Sequence, residues 1–263
     1  LTDILEQIIA HKHTEIAAAK ARVPQDELIA ACDEAPPVRS FYHALKSGKA
    51  ARIIAECKKK SPSKGVMAAS YDPVALARAY EKGGAAAISV LTDERFFGGT
   101  LDDLRQVRAA VGAPVLRKDF IVDAYQVYEA RAAGADSYLL LSGVLTTPEL
   151  DALIAVGRDL GMEPLIESHT AAELRAAILT KGKIFGINNR SLKSFHVDLD
   201  VARQLYELGA ASGADRLMVC ESGIKSAADV ENLSGVGYKA FLVGEALVTH
   251  PDPTAALKAL IQR

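Results

Sequence analysis

The sequence predicts an α/β fold, a closed (β/α)8 barrel with an N-terminal helical extension, and three observations carry that prediction. Eight short runs rich in apolar residues recur along the chain, their starts 21 to 34 residues apart. Between them lie stretches with apolar residues at three- and four-residue spacing, the pattern of helices that bury one face. The runs themselves are near-continuously apolar, as parallel strands covered on both sides must be. A doubly wound open sheet is the other arrangement for such a repeat, but no GxGxxG follows the first run.

Residues 1–48 stand outside the repeat. LTDILEQIIAHKHTEIAAAKARV and QDELIAACDEA are amphipathic helix patterns, Pro36-Pro37 interrupts them, and VRSFYHALKSG is a third short one. They read as a helical extension packed on the barrel, with a dimerisation arm as the alternative. The catalytic barrel then occupies 49–263. Its strands are expected at 52–57, 86–91, 114–118, 136–141, 163–167, 184–188, 216–220 and 239–244. Helices are expected at 72–84, 123–135, 147–161 and 170–182, several closing on a glycine, with Thr147 and Thr170 as N-caps.

With 263 residues, 49% of them hydrophobic, the chain can bury the core of one large α/β domain. A net charge of −2 offers no electrostatic footprint for nucleic acid or a membrane surface, so any basic site must be local. Cys32, Cys57 and Cys220 are odd in number and lack a CxxC spacing, which points to a reducing, cytoplasmic setting and to no thiolate zinc site. No long apolar run and no charged-then-apolar leader is present, so neither a spanning helix nor a signal peptide is expected.

Strand ends carry the chemistry. IIAECKKKSP, at 53–62, runs from apolar residues into Glu56 and three lysines. Side chains alternate along a strand, so Glu56 and Lys58 share one face while Cys57 and Lys59 take the other. Lys59 and Lys60 read as solvated loop residues. The polar ending recurs: LRKDF puts Lys118 at the end of the third strand and LIESHT puts Glu167 at the end of the fifth. GINNR ends the sixth with Asn188 and Arg190 on one face, and VCESG ends the seventh with Glu221, Ser222 and Gly223. A (β/α)8 barrel builds its site at this end of the strands. Polar endings on five otherwise apolar strands are hard to ascribe to solvation alone. Glycine-bearing turns, ESG at 221–223 and VGEAL at 243–247, follow the last two strands. Those loops form the recurrent phosphate site of such barrels, and Gly223 and Gly244 permit close approach of an anion to the backbone.

IIAECKKKSPSKG, ISVLTDERFFGGTLDDL, PVLRKDFIVDAYQVYEARAAGAD, GINNRSL, CESGI and FLVGEAL together resemble the motif series of the indole-3-glycerol-phosphate synthases, TIM-barrel enzymes of tryptophan biosynthesis, from about residue 38 to 250. The helical extension is similar to the family's as well. Cys57, Lys60 and Cys220 stand where other residues are common, and none replaces a catalytic group. The resemblance implies a cofactor-free and metal-free conversion of 1-(2-carboxyphenylamino)-1-deoxyribulose 5-phosphate to indole-3-glycerol phosphate, with loss of carbon dioxide and water. It implies Lys118 as general acid and Glu167 as general base. Lys58 would hold the anthranilate carboxylate or act as a second acid, with Glu56 and Asn188 orienting the lysines and substrate hydroxyls. Ser61, Arg190, Gly223, Gly244 and the backbone of Glu245 would receive the phosphate, and Ser222 would line the pocket. Ser89 and Phe97 are candidates for further substrate contacts. The implied partner is a small phosphorylated substrate, handled by a monomer or weak homo-oligomer.

The remaining polar residues read as structural. The six histidines show no HExxH or paired-ligand spacing, and Ser168-His169 beside Glu167 lacks a nucleophile elbow, so Glu167 is expected to work alone. DERFFGG, at 93–99, reads equally as an ordinary loop or a mobile lid. Two other functions share parts of the pattern. A phosphoribosylanthranilate isomerase or a tryptophan synthase alpha subunit would keep the glycine turns without the Glu-x-Lys pair, and a non-catalytic binding barrel would use 1–48 as its partner surface.

Overall fold

The computed structural model describes residues 4–48, 50–67, 71–191, 194–211, 213 and 215–261. Eight parallel strands close into one barrel: β1 (Arg52–Cys57), β2 (Ala87–Leu91), β3 (Val115–Lys118), β4 (Ser137–Leu141), β5 (Leu165–Ser168), β6 (Ile184–Asn188), β7 (Leu217–Glu221) and β8 (Ala240–Val243), each hydrogen-bonded to its neighbours in sequence, with β8 returning to β1. Strand alternation divides the apolar residues between two layers. Ile53, Ala55 and Cys57 face outward into the layer packed under the helices, while Ile54 joins Leu116, Leu165, Ile184, Leu217 and Leu242 in filling the barrel. Glu56 follows Ile54 on the inner face and so points up the interior.

Several expected strand limits shift by one or two residues, two of them for local reasons. The fifth strand begins at Leu165 because Pro164 has no N–H for the ladder. The seventh extends to Glu221, which pairs in register with Asn188. Helices begin where side-chain caps occur: α4 (Pro73–Gly83) on Asp72, α6 (Leu101–Ala110) on Thr100, α7 (Ala124–Ala132) on Asp123 and α9 (Ala171–Ile178) on Thr170. In α8 (Thr147–Asp159) the cap is Thr146 and not Thr147. The Thr146 N–H and hydroxyl both donate to Glu149, which stands at the position a capping box requires. Between β2 and α6, the stretch read as loop or lid is a single helical turn, α5 (Glu94–Phe97), started by Asp93 and stopped by Gly98 at φ 69°. Beyond β1 a short hairpin pairs Lys60–Ser61 with Gly65–Val66. Its Lys60 is not free in solvent, because Nζ donates to the Arg95 carbonyl of α5 at 2.8 Å.

Three helices precede the barrel. α3 (Phe41–Lys46) buries Phe41 and Leu45 against the inner-layer residues, and Arg52 Nε at the start of β1 donates to the Ala44 carbonyl, so α3 closes the end opposite the strand termini. α1 (Ile4–Arg22) and α2 (Gln25–Glu34) lie along α7, joined by Lys20 to Asp123 at 2.7 Å, Tyr125 Oη to the Ala19 carbonyl at 3.1 Å and Cys32 Sγ to the Tyr128 carbonyl at 3.3 Å. Among the described residues no helix is long and apolar enough to cross a membrane.

Candidate active site

A cavity of about 700 Å³ opens at the C-terminal ends of the strands. Glu56, Lys58, Ser61, Phe97, Lys118, Glu167, Asn188, Arg190, Ser222, Gly223, Gly244 and Glu245 all line it, so closure of the barrel gathers residues spread along the chain from Glu56 to Glu245. Ser89 is the exception. It is fully buried in register with Glu56 and lies outside the lining, and Leu91, two residues further along the same face of β2, takes the place at the wall. The structure therefore does not bring Ser89 to the cavity wall.

The floor is a compact charged cluster. Lys118 Nζ at the end of β3 lies 2.9 Å from Glu167 Oε2 on β5 and 3.9 Å from Glu221 Oε2 on β7. Asn188 Nδ2 on β6 donates to Glu167 Oε1 at 2.8 Å. Lys58 Nζ donates to Glu56 Oε1, as their shared strand face predicts. Lys59 points away and is exposed. Burial alone would push the Lys118 ammonium down, but Glu167, Glu221 and Glu56 outweigh it and raise its pKa. For Glu167 burial acts upward, and the Lys118 charge, His169 and the Asn188 amide together bring the carboxylate well below its ordinary range. Glu221 goes the other way, raised by burial and by the neighbouring Glu167 charge against the pull of Lys118. Two carboxyl groups in one pocket are thus pushed apart in acidity, the arrangement that separates a base from a potential donor.

Several members of this site have roles that no sequence pattern signals. Glu221, one of the polar strand endings but given no role from the sequence, is buried at the end of β7, and among the described residues its Oε1 has no hydrogen-bond partner. The space for it comes from Gly186 of β6, where a Cβ would stand 1.9 Å from Glu221 Oε1. Asn189 fixes the turn beyond Glu221 by donating to the Glu221 and Ser222 carbonyls at 2.9 and 3.1 Å. That turn places Ser222 at φ 64°, a conformation uncommon outside glycine, and Gly223 at φ 85°. His169 Nε2 lies 3.2 Å from Glu167 Oε1. The first turns of α1 supply an apolar wall through Ile4, Leu5 and Ile8, opposite Phe97 and Phe120, whose rings lie 5.9 Å apart.

The mouth is basic. Lys64, from the hairpin, pairs with Glu245 Oε1, and Arg190 Nη2 lies 3.3 Å from Glu245 Oε2. After α10 (Asp200–Ala210) and α11 (Ala227–Val236), Glu245 starts the four-residue α12 (Glu245–Val248) directly after Gly244. Burial opposes ionisation of Glu245, but Lys64 and Arg190 hold its carboxyl low. The two glycines carry packing as well as access: a Cβ at Gly244 would stand 2.5 Å from Glu56 Oε1, and one at Gly223 would stand 2.7 Å from Val197 Cγ1. Among the described residues no group of three or more histidine, cysteine, aspartate or glutamate side chains is arranged to hold a metal.

Comparison with known proteins shows the family. Residues 5–260 match the family model described as indole-3-glycerol phosphate synthase. An indole-3-glycerol phosphate synthase from Rhodopirellula baltica is 47% identical over 258 residues, covering 98% of each chain. One from Albidiferax ferrireducens is 48% identical over 263 residues, covering 99% of this chain and 98% of the relative. Among solved structures, the tryptophan synthase alpha subunit of Legionella pneumophila superposes with a TM-score of 0.58 at 17% identity, over 88% of this chain and 96% of that one. The 3-hexulose-6-phosphate synthase of Salmonella typhimurium does so with a TM-score of 0.62 at 12% identity, over 80% and 96%. At these identities the structural likeness speaks for the barrel alone.

Proposed function

This chain belongs to the indole-3-glycerol phosphate synthase family, and on that premise we propose which of its side chains perform the family's reaction. The protein is a carboxy-lyase of tryptophan biosynthesis that closes the indole ring of 1-(2-carboxyphenylamino)-1-deoxyribulose 5-phosphate, releasing carbon dioxide and water.

The chemistry sets the proton balance. The ring carbon bearing the carboxylate attacks the ribulose carbonyl, whose oxygen takes a proton. Carbon dioxide then leaves and restores the aromatic ring. The new hydroxyl takes a second proton and departs as water, while one proton is withdrawn from the adjacent carbon. Two protons given and one taken leave one consumed, which matches loss of a carboxylate as neutral carbon dioxide.

The observation that carries the assignment is the Lys118–Glu167 pair on the cavity floor. Lys118, kept charged chiefly by the Glu167 carboxylate, is the donor to the carbonyl oxygen. Glu167, kept ionised, is the base that takes the carbon-bound proton. Lys58 holds the substrate carboxylate until decarboxylation and is the second donor, with Glu56 fixing its direction. Asn188 aims Glu167, and Glu221 is a buried carboxyl facing both proton-transfer groups. Ser61, Arg190, Ser222, Gly223, Gly244 and the first turn of α12 receive the phosphate, with Lys64 added from the hairpin. The aromatic ring lies between Phe97 and the apolar wall of α1, so residues 1–48 complete the site of the barrel at 49–263. A cytoplasmic enzyme acting as a monomer or weak homo-oligomer on this small substrate is the corresponding cellular reading.

Ultraviolet detection of indole formation from the carboxyphenylamino substrate by purified protein tests the reading. Folded protein that makes no indole product, but isomerises the preceding phosphoribosyl anthranilate, would return it to the isomerase alternative.

A further inference from the structure

We propose that His169 is a positioning residue for the base: a doubly protonated imidazolium held by Glu173 that keeps Glu167 ionised and aimed into the cavity. The proposal rests on the assignment of Glu167 above and concerns a side chain that does not itself line the cavity.

The His169 ring is tied on one side to Glu173. His169 follows the last residue of β5, and Glu173 occupies the third position of α9 after the Thr170 cap. Glu173 Oε2 accepts from the His169 backbone N–H at 2.7 Å and faces the ring Nδ1 at 3.3 Å, so one carboxylate fixes both backbone and ring. The opposite ring nitrogen, Nε2, lies 3.2 Å from Glu167 Oε1, off the line of an ideal hydrogen bond and, among the described residues, with no other partner. An ionised carboxylate can only accept. A bare nitrogen lone pair directed at either oxygen would be repelled in this buried setting, so both ring nitrogens carry protons. The two carboxylates that touch the ring favour that state, and the nearest cation pairs with Glu167 on its other oxygen. Glu167 faces it from β5 and Glu173 from α9, and on the far side of Glu167 stand Lys118 of β3 and Glu221 of β7. Burial works against the charge, but the two adjoining carboxylates raise the His169 pKa to about 9. Room for Glu173 is left by Gly143, where a Cβ would stand 3.2 Å from its carboxyl carbon.

The consequence lies in timing. Lys118 neutralises Glu167 only until it gives its proton to the substrate. His169 and Asn188 hold Oε1 independently of that transfer, so the base stays ionised and in place for the later withdrawal of the carbon-bound proton. In isolation such an imidazolium would look like a surface ion pair; behind a catalytic base it sets that base's acidity.

Two measurements test this. Nitrogen-15 NMR of histidine-labelled wild-type protein at pH 7.5 should show one ring with both nitrogens protonated, and Glu173→Gln should shift that signal, which identifies it. Steady-state kinetics of His169→Asn should show kcat lowered by about tenfold to a hundredfold with KM little changed. Its acid limb of kcat/KM should move to higher pH by roughly one unit, because loss of the neighbouring cation raises the Glu167 pKa. A neutral His169 tautomer in the wild type, or an unmoved acid limb in folded His169→Asn, overturns the proposal. If the wild-type protein makes no indole product, the functional assignment fails instead, and the NMR result still decides the charge state.

Discussion

Lys118 Nζ and Glu167 Oε2 stand 2.9 Å apart across the barrel floor, contributed by strands that are not neighbours. The assigned acid and the assigned base are each other's counter-ion, which keeps both in the protonation state each needs before substrate arrives.

The pair should therefore fail differently from Lys58. Lys118→Met is expected to lower kcat by roughly 10²–10⁴-fold with little change in KM, since it acts only as charge develops. Lys58→Met should raise KM as well, because it meets a carboxylate already present in the ground state. Exposed Lys59, changed to Met, is the control and should be nearly silent. Kinetics on the three variants, with circular dichroism to confirm folding, decides the matter; a Lys59 variant as impaired as the Lys58 variant would contradict the strand register.

The turn at Gly244 couples phosphate binding to Glu56. Obstructing an anion alone would raise KM, but a Cβ here meets Glu56 Oε1 at 2.5 Å. Gly244→Ala is thus expected to lower kcat at least as much as it raises KM, through displacement of the carboxylate that directs Lys58. A pure KM effect in this variant would separate the two sites.

Glu245 occupies two cations that the phosphate needs. Since Lys64 and Arg190 both pair with its carboxylate, Glu245→Gln should leave them available and strengthen competition by inorganic phosphate several-fold, on the scale of one partly exposed ion pair. Inhibition constants for phosphate, compared between wild type and variant, check this. Weaker inhibition would mean that Glu245 helps to build the anion site instead of competing for it.

Lys12 ties the extension to the catalytic strands. Its buried ammonium lies 2.9 Å from Asp119, the residue after Lys118, and 3.1 Å from Asp93, the cap of the turn that carries Phe97. Lys12→Met leaves these carboxylates buried without it and should cost about 3–5 kcal/mol by urea denaturation at pH 7. Burial acts to raise the Asp119 pKa, but Arg117 and Lys12 outweigh it and lower it to about 2. A depressed carboxylate stabilises the fold above its unfolded pKa of about 3.9 and loses that contribution as pH falls through the folded value. The deficit of the variant should accordingly be largest at neutral pH and narrow between about pH 4 and 2. An equal deficit across that range would show that the loss is packing and not charge.

What the sequence determined by itself was set by short-range pattern. Apolar runs, helical spacing and polar strand endings follow from strand alternation and helix periodicity. Those patterns sufficed for the eight-stranded barrel, for Glu56 and Lys58 on one face, and for the strand-end positions of Lys118, Glu167 and Asn188. The tertiary structure decided everything that depends on distance across the closed ring. It placed Ser89 one layer too deep and paired Lys118 with Glu167. It buried the strand-ending Glu221 as a carboxyl accommodated by Gly186, and it set His169 behind the base. Clearances of that kind depend on strand stagger and on which side chains meet when the first strand pairs with the last, and a linear pattern carries neither.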